Sequence, residues 1–236
     1  MTPATAMTID DGTLTLWQFA DGLFPAGGFA HSFGLETYAQ QGRVRDRASL
    51  EAFVIAHLEG TAGPCDAVAA ASATRLAVAG DAAGLLALDA RLDAMKCVPE
   101  FRTASVQMGR QTLRVAAALD ADRLLVDFER AVDDGRTPGH HAVAFGMATG
   151  RGGADAERAA AAYLYSTCVL LVGAGLRLLP LGQLDGQRVL AAMRPRIARL
   201  AAAASAARPA DMWSFTPALE IAGLVHATLD MRLFRS

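Results

Sequence analysis

The residues of this chain with chemical potential are five histidines, one serine in a suggestive context and a few glycine-rich turns. His31, His57, His140, His141 and His226 are the candidates for metal ligation or proton transfer, because imidazole titrates near neutrality and binds divalent metals. Only His140 and His141 are adjacent, and neighbours on regular structure point apart, unlike the i, i+4 pair of an H-E-x-x-H helix. They follow a Gly- and Pro-containing loop and are weak metal candidates, with no carboxylate or thiolate company. His57 falls on an apolar periodic face and reads as a core residue. Ser32, in "AHSFG", superficially fits a nucleophile elbow, but Ala30 stands where the first glycine belongs and no strand leads in. A helix-surface or capping hydroxyl is the expectation there. "GRGGAD" at 150–155 lacks G-x-x-x-x-G-K-[ST] and a preceding strand, so it reads as a helix-capping turn. With no complete catalytic constellation the chain is expected not to be an enzyme. The alternative is a histidine-dependent metal carrier or small enzyme using His31, His140, His141 and His226.

The elements that would carry these residues are helices throughout. Leu50, Phe53, Val54, His57 and Leu58 recur at spacings of three and four, the mark of one buried helical face. The spacing predicts helices over 14–20, 29–41, 47–59, 66–79, 82–95, 103–119, 124–132, 142–149, 156–179, 186–205 and 217–233. Gly63-Pro64 is expected to break one of them, and "DDGRTPGHH" reads as a loop. β-branched runs and Asn-Gly hairpin turns are absent. The expectation is an all-α, single-domain bundle of roughly ten helices over 1–236, with 1–12 a flexible tail and 232–236 a docking tail.

Composition narrows the partners. With 53% hydrophobic and 19% charged residues the chain is too apolar to be disordered. A net charge of −2 gives no basic footprint, so no nucleic acid and no polybasic membrane contact are expected. Cys65, Cys97 and Cys168 are odd in number and widely spaced, indicating neither a disulfide framework nor a zinc site. The first residues lack a basic n-region, so a cytoplasmic protein is expected. The uncharged stretch 159–176 reaches the roughly 18 residues at which a spanning helix becomes a candidate. Its alanines, tyrosines and glycines, without flanking positive-inside asymmetry, favour a buried core helix and no membrane.

The two ends carry unusual contact groups. Treated as one helix, 29–41 places Phe29, Phe33, Glu36 and Gln40 on one side, and His31, Leu35 and Tyr38 on the other. At the far end Thr216 and Pro217 start a helix with Ile221, Val225, Leu229 and Leu233 at spacing four. The chain then finishes "RLFRS", with two large apolar residues between arginines, which suggests docking onto a partner or onto the protein's own body.

Four blocks, "LFPAGGFAHSFGLETYAQQG", "GHHAVAFG", "GLRLLPLGQLDGQ" and "PALEIAGLVHATLDMRLFRS", make the sequence resemble the urease accessory protein UreF family over nearly its whole length. The resemblance implies an all-α protein that forms a homodimer and has no catalysis of its own. It also implies partners: UreD (also called UreH) and the GTPase UreG, which together deliver nickel to apo-urease. No cofactor is implied for this chain, since nickel and GTP are handled by the partner proteins. Carried over by residue, Arg232, Leu233, Phe234, Arg235 and Ser236 resemble the segment ordered against UreD. Glu36, Arg177 and Gln183 resemble the surface that meets UreG, with His31, Ser32 and Tyr38 as supporting contacts. Ala227, Met231 and His141 depart from residues common in the family.

Overall fold

In the computed structural model, which describes residues 9–236, the chain forms eleven α-helices with two short 3-10 turns and one π-helical stretch. There is no strand among the described residues, as the sequence led us to expect. The helices are α1 (Asp11–Ala20), α2 (Leu35–Gln40), α3 (Arg47–His57), α4 (Val68–Ala79), α5 (Ala82–Met95), α6 (Pro99–Leu119), α7 (Arg123–Asp133), α8 (His141–Arg151), α9 (Ala156–Leu178), α10 (Gln183–Ala206) and α11 (Pro217–His226). Most of the expected tail at 1–12 lies outside the described residues. Its last two positions, Asp11 and Gly12, already belong to α1, because the Asp10 carboxylate caps that helix by accepting the Thr13 N–H at 2.8 Å.

The core is built on α4, α8 and α9. Residues Ala142 to Gly150 of α8 are all buried, and α4 lies along it so closely that Thr74 Oγ1 donates within hydrogen-bond distance of both Ala70 O and Gly146 O. Small residues make this approach possible: a Cβ at Gly146 would sit 2.2 Å from the Ala70 carbonyl oxygen. Around this centre α10 packs on α9, α6 on α8, α5 on α4 and α7 on α6, while α11 rests against α2 and α6. α9 is long and apolar enough to span a membrane by length and composition alone, and half of its most apolar window is buried in this fold.

Three expectations are corrected. Gly63-Pro64 does not stop the chain: a π-helical stretch, Leu58–Ala67, carries α3 into α4. Proline removes a donor, and the extended segment after α10 takes up carbonyls here, Trp213 N–H donating to Pro64 O and Phe215 N–H to Gly60 O. Residues 29–41 are not one helix. A 3-10 turn at Gly28–Ala30 is followed by Phe33 at φ 50° and Gly34 at φ 86°, both in the left-handed region, before α2 begins. Finally, α11 ends at His226 rather than Leu233. The backbone beyond it is spent on side-chain acceptors described below.

The close approach of α4 and α8 is testable. Gly146→Ala should lower stability in urea by about 2 kcal/mol, the middle of the range for overpacking, because the obstructing atom is backbone and has no rotamer to change. Unaltered stability would mean that the helices can separate freely.

Candidate functional site

The C-terminal segment is held in the body of the protein by a small set of buried polar groups. Glu36 is the second residue of α2, and only 2% of it is exposed. Its Oε1 accepts the Leu233 N–H at 2.7 Å. Its Oε2 accepts the Phe234 N–H at 3.1 Å and faces His226 Nε2 at 3.0 Å. His226 is fully buried at the end of α11, with Nδ1 2.7 Å from Glu100 Oε2 near the start of α6. Glu100 Oε1 in turn accepts from Arg232 at 3.1 Å. A ring that donates through both N–H groups satisfies both carboxylates.

A second group of contacts fixes the last residues. The Ser236 carbonyl oxygen accepts the Ser32 N–H at 2.6 Å, the Phe33 N–H at 3.1 Å and the Ser32 hydroxyl at 2.8 Å. Ser236 Oγ lies 2.9 Å from His31 Nδ1, and Arg235 N–H donates to Ala30 O at 2.8 Å. Burial, assisted by the charge of Arg235, pushes His31 down to about 4, so the ring is neutral at pH 7. Phe234 is buried, with the Arg177 guanidinium 4.1 Å from its ring centroid, a cation–π geometry. Arg177 also donates to Phe29 O, tying α9 to the turn that precedes α2.

Glu36, His31, Ser32, Arg177 and the 232–236 segment are therefore brought into one cluster. Glu36 faces inward rather than out to solvent. Tyr38 is buried against Phe53 at 5.5 Å, with Arg43 4.3 Å over its ring, and belongs to the adjoining core. Gln183 opens α10, is exposed, and takes no part in the hydrogen bonds that hold the tail. The residues that sequence reasoning missed are Glu100, which completes the carboxylate pair, and the supporting Thr37 and Gln40. Thr37 donates to Ala222 O at 2.9 Å, and Gln40 donates to Met231 O at 2.9 Å. Glu100 follows Pro99 at a helix start, where an acid is ordinary, so nothing in the sequence singled it out.

The remaining histidines are scattered. His140 lies between Asp93 (2.9 Å) and Ser105 (3.0 Å), while His141 Nδ1 lies 3.2 Å from Thr112 Oγ1. No group of three or more His, Cys, Asp or Glu side chains among the described residues could hold a metal ion. Burial pushes the Cys65 and Cys168 thiols up to about 12, which makes them poor nucleophiles.

Fold and site together define an all-helical protein whose C-terminal segment is clamped to its own N-terminal turn by a buried acid–imidazole chain. Comparison with known proteins names the class. Residues 44–194 match the UreF family. The chain is 29% identical over 223 residues to the urease accessory protein UreF of Bacillus sp. (strain TB-90), covering 94% of this chain and 98% of the relative. It is 33% identical to urease accessory protein UreF 2 of Brucella canis, over 94% and 91% of the two chains. For the UreF of Actinobacillus pleuropneumoniae the identity is 34%, over 94% and 97%. The chain belongs to the UreF family.

The site yields two predictions. Glu36→Ala strands two backbone N–H groups and His226, and should destabilise the tail by about 2 kcal/mol or more. Limited trypsin digestion should then cut at Arg232 faster than in the unmodified protein; unchanged protection would show that the clamp is dispensable. The pH response follows from His31, His57 and His141, each pushed down to about 4 chiefly by burial. Unfolded imidazoles titrate near about 6.5, so between these values the unfolded chain binds more protons and stability falls as pH drops. Urea midpoints should decrease progressively from pH 7 to pH 4, and a flat profile would contradict the assignment.

Proposed function

We propose that this chain is a non-catalytic adaptor in urease maturation, joining UreD (UreH) and the GTPase UreG in the cytoplasmic complex that delivers nickel to apo-urease. The observation that carries the proposal is the architecture of the C-terminal segment. Its backbone is bound by side chains, while Met231 (81% exposed) and Leu233 (61%) project outward, and α11, which leads into the segment, exposes Ile221 and Leu224. Exposed apolar side chains of this kind mark surfaces built for a partner, and we assign this one to UreD. Arg232 stands beside it, half-exposed, with its guanidinium oriented by Glu100.

The UreG surface is assigned to the neighbourhood of Arg177 and the exposed Phe29 and Leu23, reaching Gln183 on α10. Glu36 contributes to either surface by holding the tail and α2 in place, since its own carboxylate is occupied internally. Homodimer formation, modulation of GTP hydrolysis by UreG, and nickel and GTP handling by the partners rather than by this chain belong to the same proposal. The exposed apolar residues support it.

Co-purification with UreD and UreG tests the proposal. Loss of residues 232–236, or Arg232→Ala, should abolish or strongly weaken UreD capture, with a cost of about 2 kcal/mol or more for an interface anchor. The helical circular dichroism should be retained. Undiminished capture by both variants, or no binding of the intact chain to either partner, would sink the proposal.

A further inference from the structure

Beside the Phe33 ring lies a cavity of about 430 Å³. That is within the size range of small-molecule sites and far above the roughly 30 Å³ that one water occupies. Its walls include two aromatic pairs, Phe19 with Phe24 (centroids 4.6 Å apart) and Phe33 with Phe101 (5.5 Å, edge-on). Lys96, Asp66, Tyr163 and Ser105 supply polar groups. No three-ligand metal cluster is present among the described residues.

The hydrogen-bond inventory of those groups is incomplete. Lys96, the only lysine of the chain, has three N–H donors and one partner among the described residues, Asp66 Oδ1 at 2.5 Å. Burial pulls Lys96 down, but Asp66 and Cys65 outweigh it, and the net upward shift keeps it cationic. Tyr163 is 7% exposed and its hydroxyl makes no hydrogen bond among the described residues, while Nδ1 of His57, which also lines the cavity, is fully buried there without a partner. Burial holds that hydroxyl well above its ordinary value, so it is available as a donor. Ser105 has the opposite polarity. Asp93, held low chiefly by its hydrogen bonds to Arg102, accepts from His140 Nε2. Burial keeps His140 neutral, so Nδ1 accepts the Ser105 proton and leaves only oxygen lone pairs to the cavity.

We propose that this cavity binds a small neutral aromatic carboxamide, its ring between the phenylalanines, its carbonyl accepting from Lys96 and Tyr163, and its N–H donating to Ser105. Neutrality follows from the Lys96–Asp66 pair, whose charges cancel, and from the other charged side chains that line the cavity, where Asp21 and Glu220 against Arg177 leave no net positive charge to attract a carboxylate. Arg177 and Phe29 also line the cavity, so it adjoins the surface assigned to UreG, and its occupancy is read on this chain alone, without either partner.

Benzamide titrated calorimetrically into the full chain tests this, with benzoate and toluene as comparison probes. The expected Kd for benzamide is about 1 mM or tighter, reasonable for a ligand of this size, with the two comparison probes about tenfold weaker or worse. Tyr163→Phe should cost about five- to tenfold, the worth of one hydrogen bond. Gly173 lines the cavity, and a Cβ there meets nothing within 4 Å, so Gly173→Leu should fill the space and remove binding without loss of fold. No benzamide binding by the folded protein up to about 10 mM, toluene or benzoate binding as tightly, or full affinity in Gly173→Leu would each overturn the proposal.

Discussion

The buried carboxylate of Glu36 is the constraint around which both ends of the chain are arranged. A carboxylate at 2% exposure is costly unless donors surround it, and the first amides of α2 are directed to Ser32, Leu35 N–H to its carbonyl oxygen and Glu36 N–H to its hydroxyl. The donors come from the other end of the sequence: the Leu233 and Phe234 amides and the His226 ring. The requirement is mutual. Amides at 233 and 234 that donate to a side chain lie outside any helix; α11 ends at His226, with Thr228 and Leu229 N–H closing turns onto Val225 O and His226 O, and the His226 ring bridges to Glu100 and α6. One acid thus joins α2, α11, α6 and the tail, and its removal would leave unpaired groups on each.

The same logic explains which parts of the fold were legible in the sequence. Elements with their own apolar periodicity were readable: the α3 face at Leu50, Phe53, Val54 and His57, and α7, expected over 124–132 and found at Arg123–Asp133. The errors fall where distant segments satisfy the backbone. Gly63-Pro64 reads as a break, yet the π-helical stretch survives because residues 213 and 215 meet its carbonyls. The Ile221–Leu233 ladder reads as one helix, yet the chain turns out of α11 after His226 and its far end, at Leu233 and Phe234, donates to Glu36 instead. The residue types of the site were visible, in Glu36, His31, Ser32, Arg177 and the tail. Their pairing was not, because each contact spans some 150 to 200 residues, as with Arg177–Phe29 and Ser32–Ser236.

Phe33 shows how far the clamp reaches. A bulky side chain at φ 50° is a backbone outlier that costs on the order of 1–3 kcal/mol and persists only where its surroundings enforce it. Two things enforce it here. The Ser236 carbonyl oxygen accepts its N–H, and its ring packs between His57 and Phe101, with centroids at 5.9 and 5.5 Å. The first depends on the tail being seated; the second forms part of the cavity wall. Withdrawing the tail therefore removes one of the two forces that hold this strained residue, and relaxation of its backbone would move the ring away from α3 and α6. A change at the exposed C-terminal surface is thereby felt at the interior cavity through a single residue, with no displacement of the α4–α8–α9 core required.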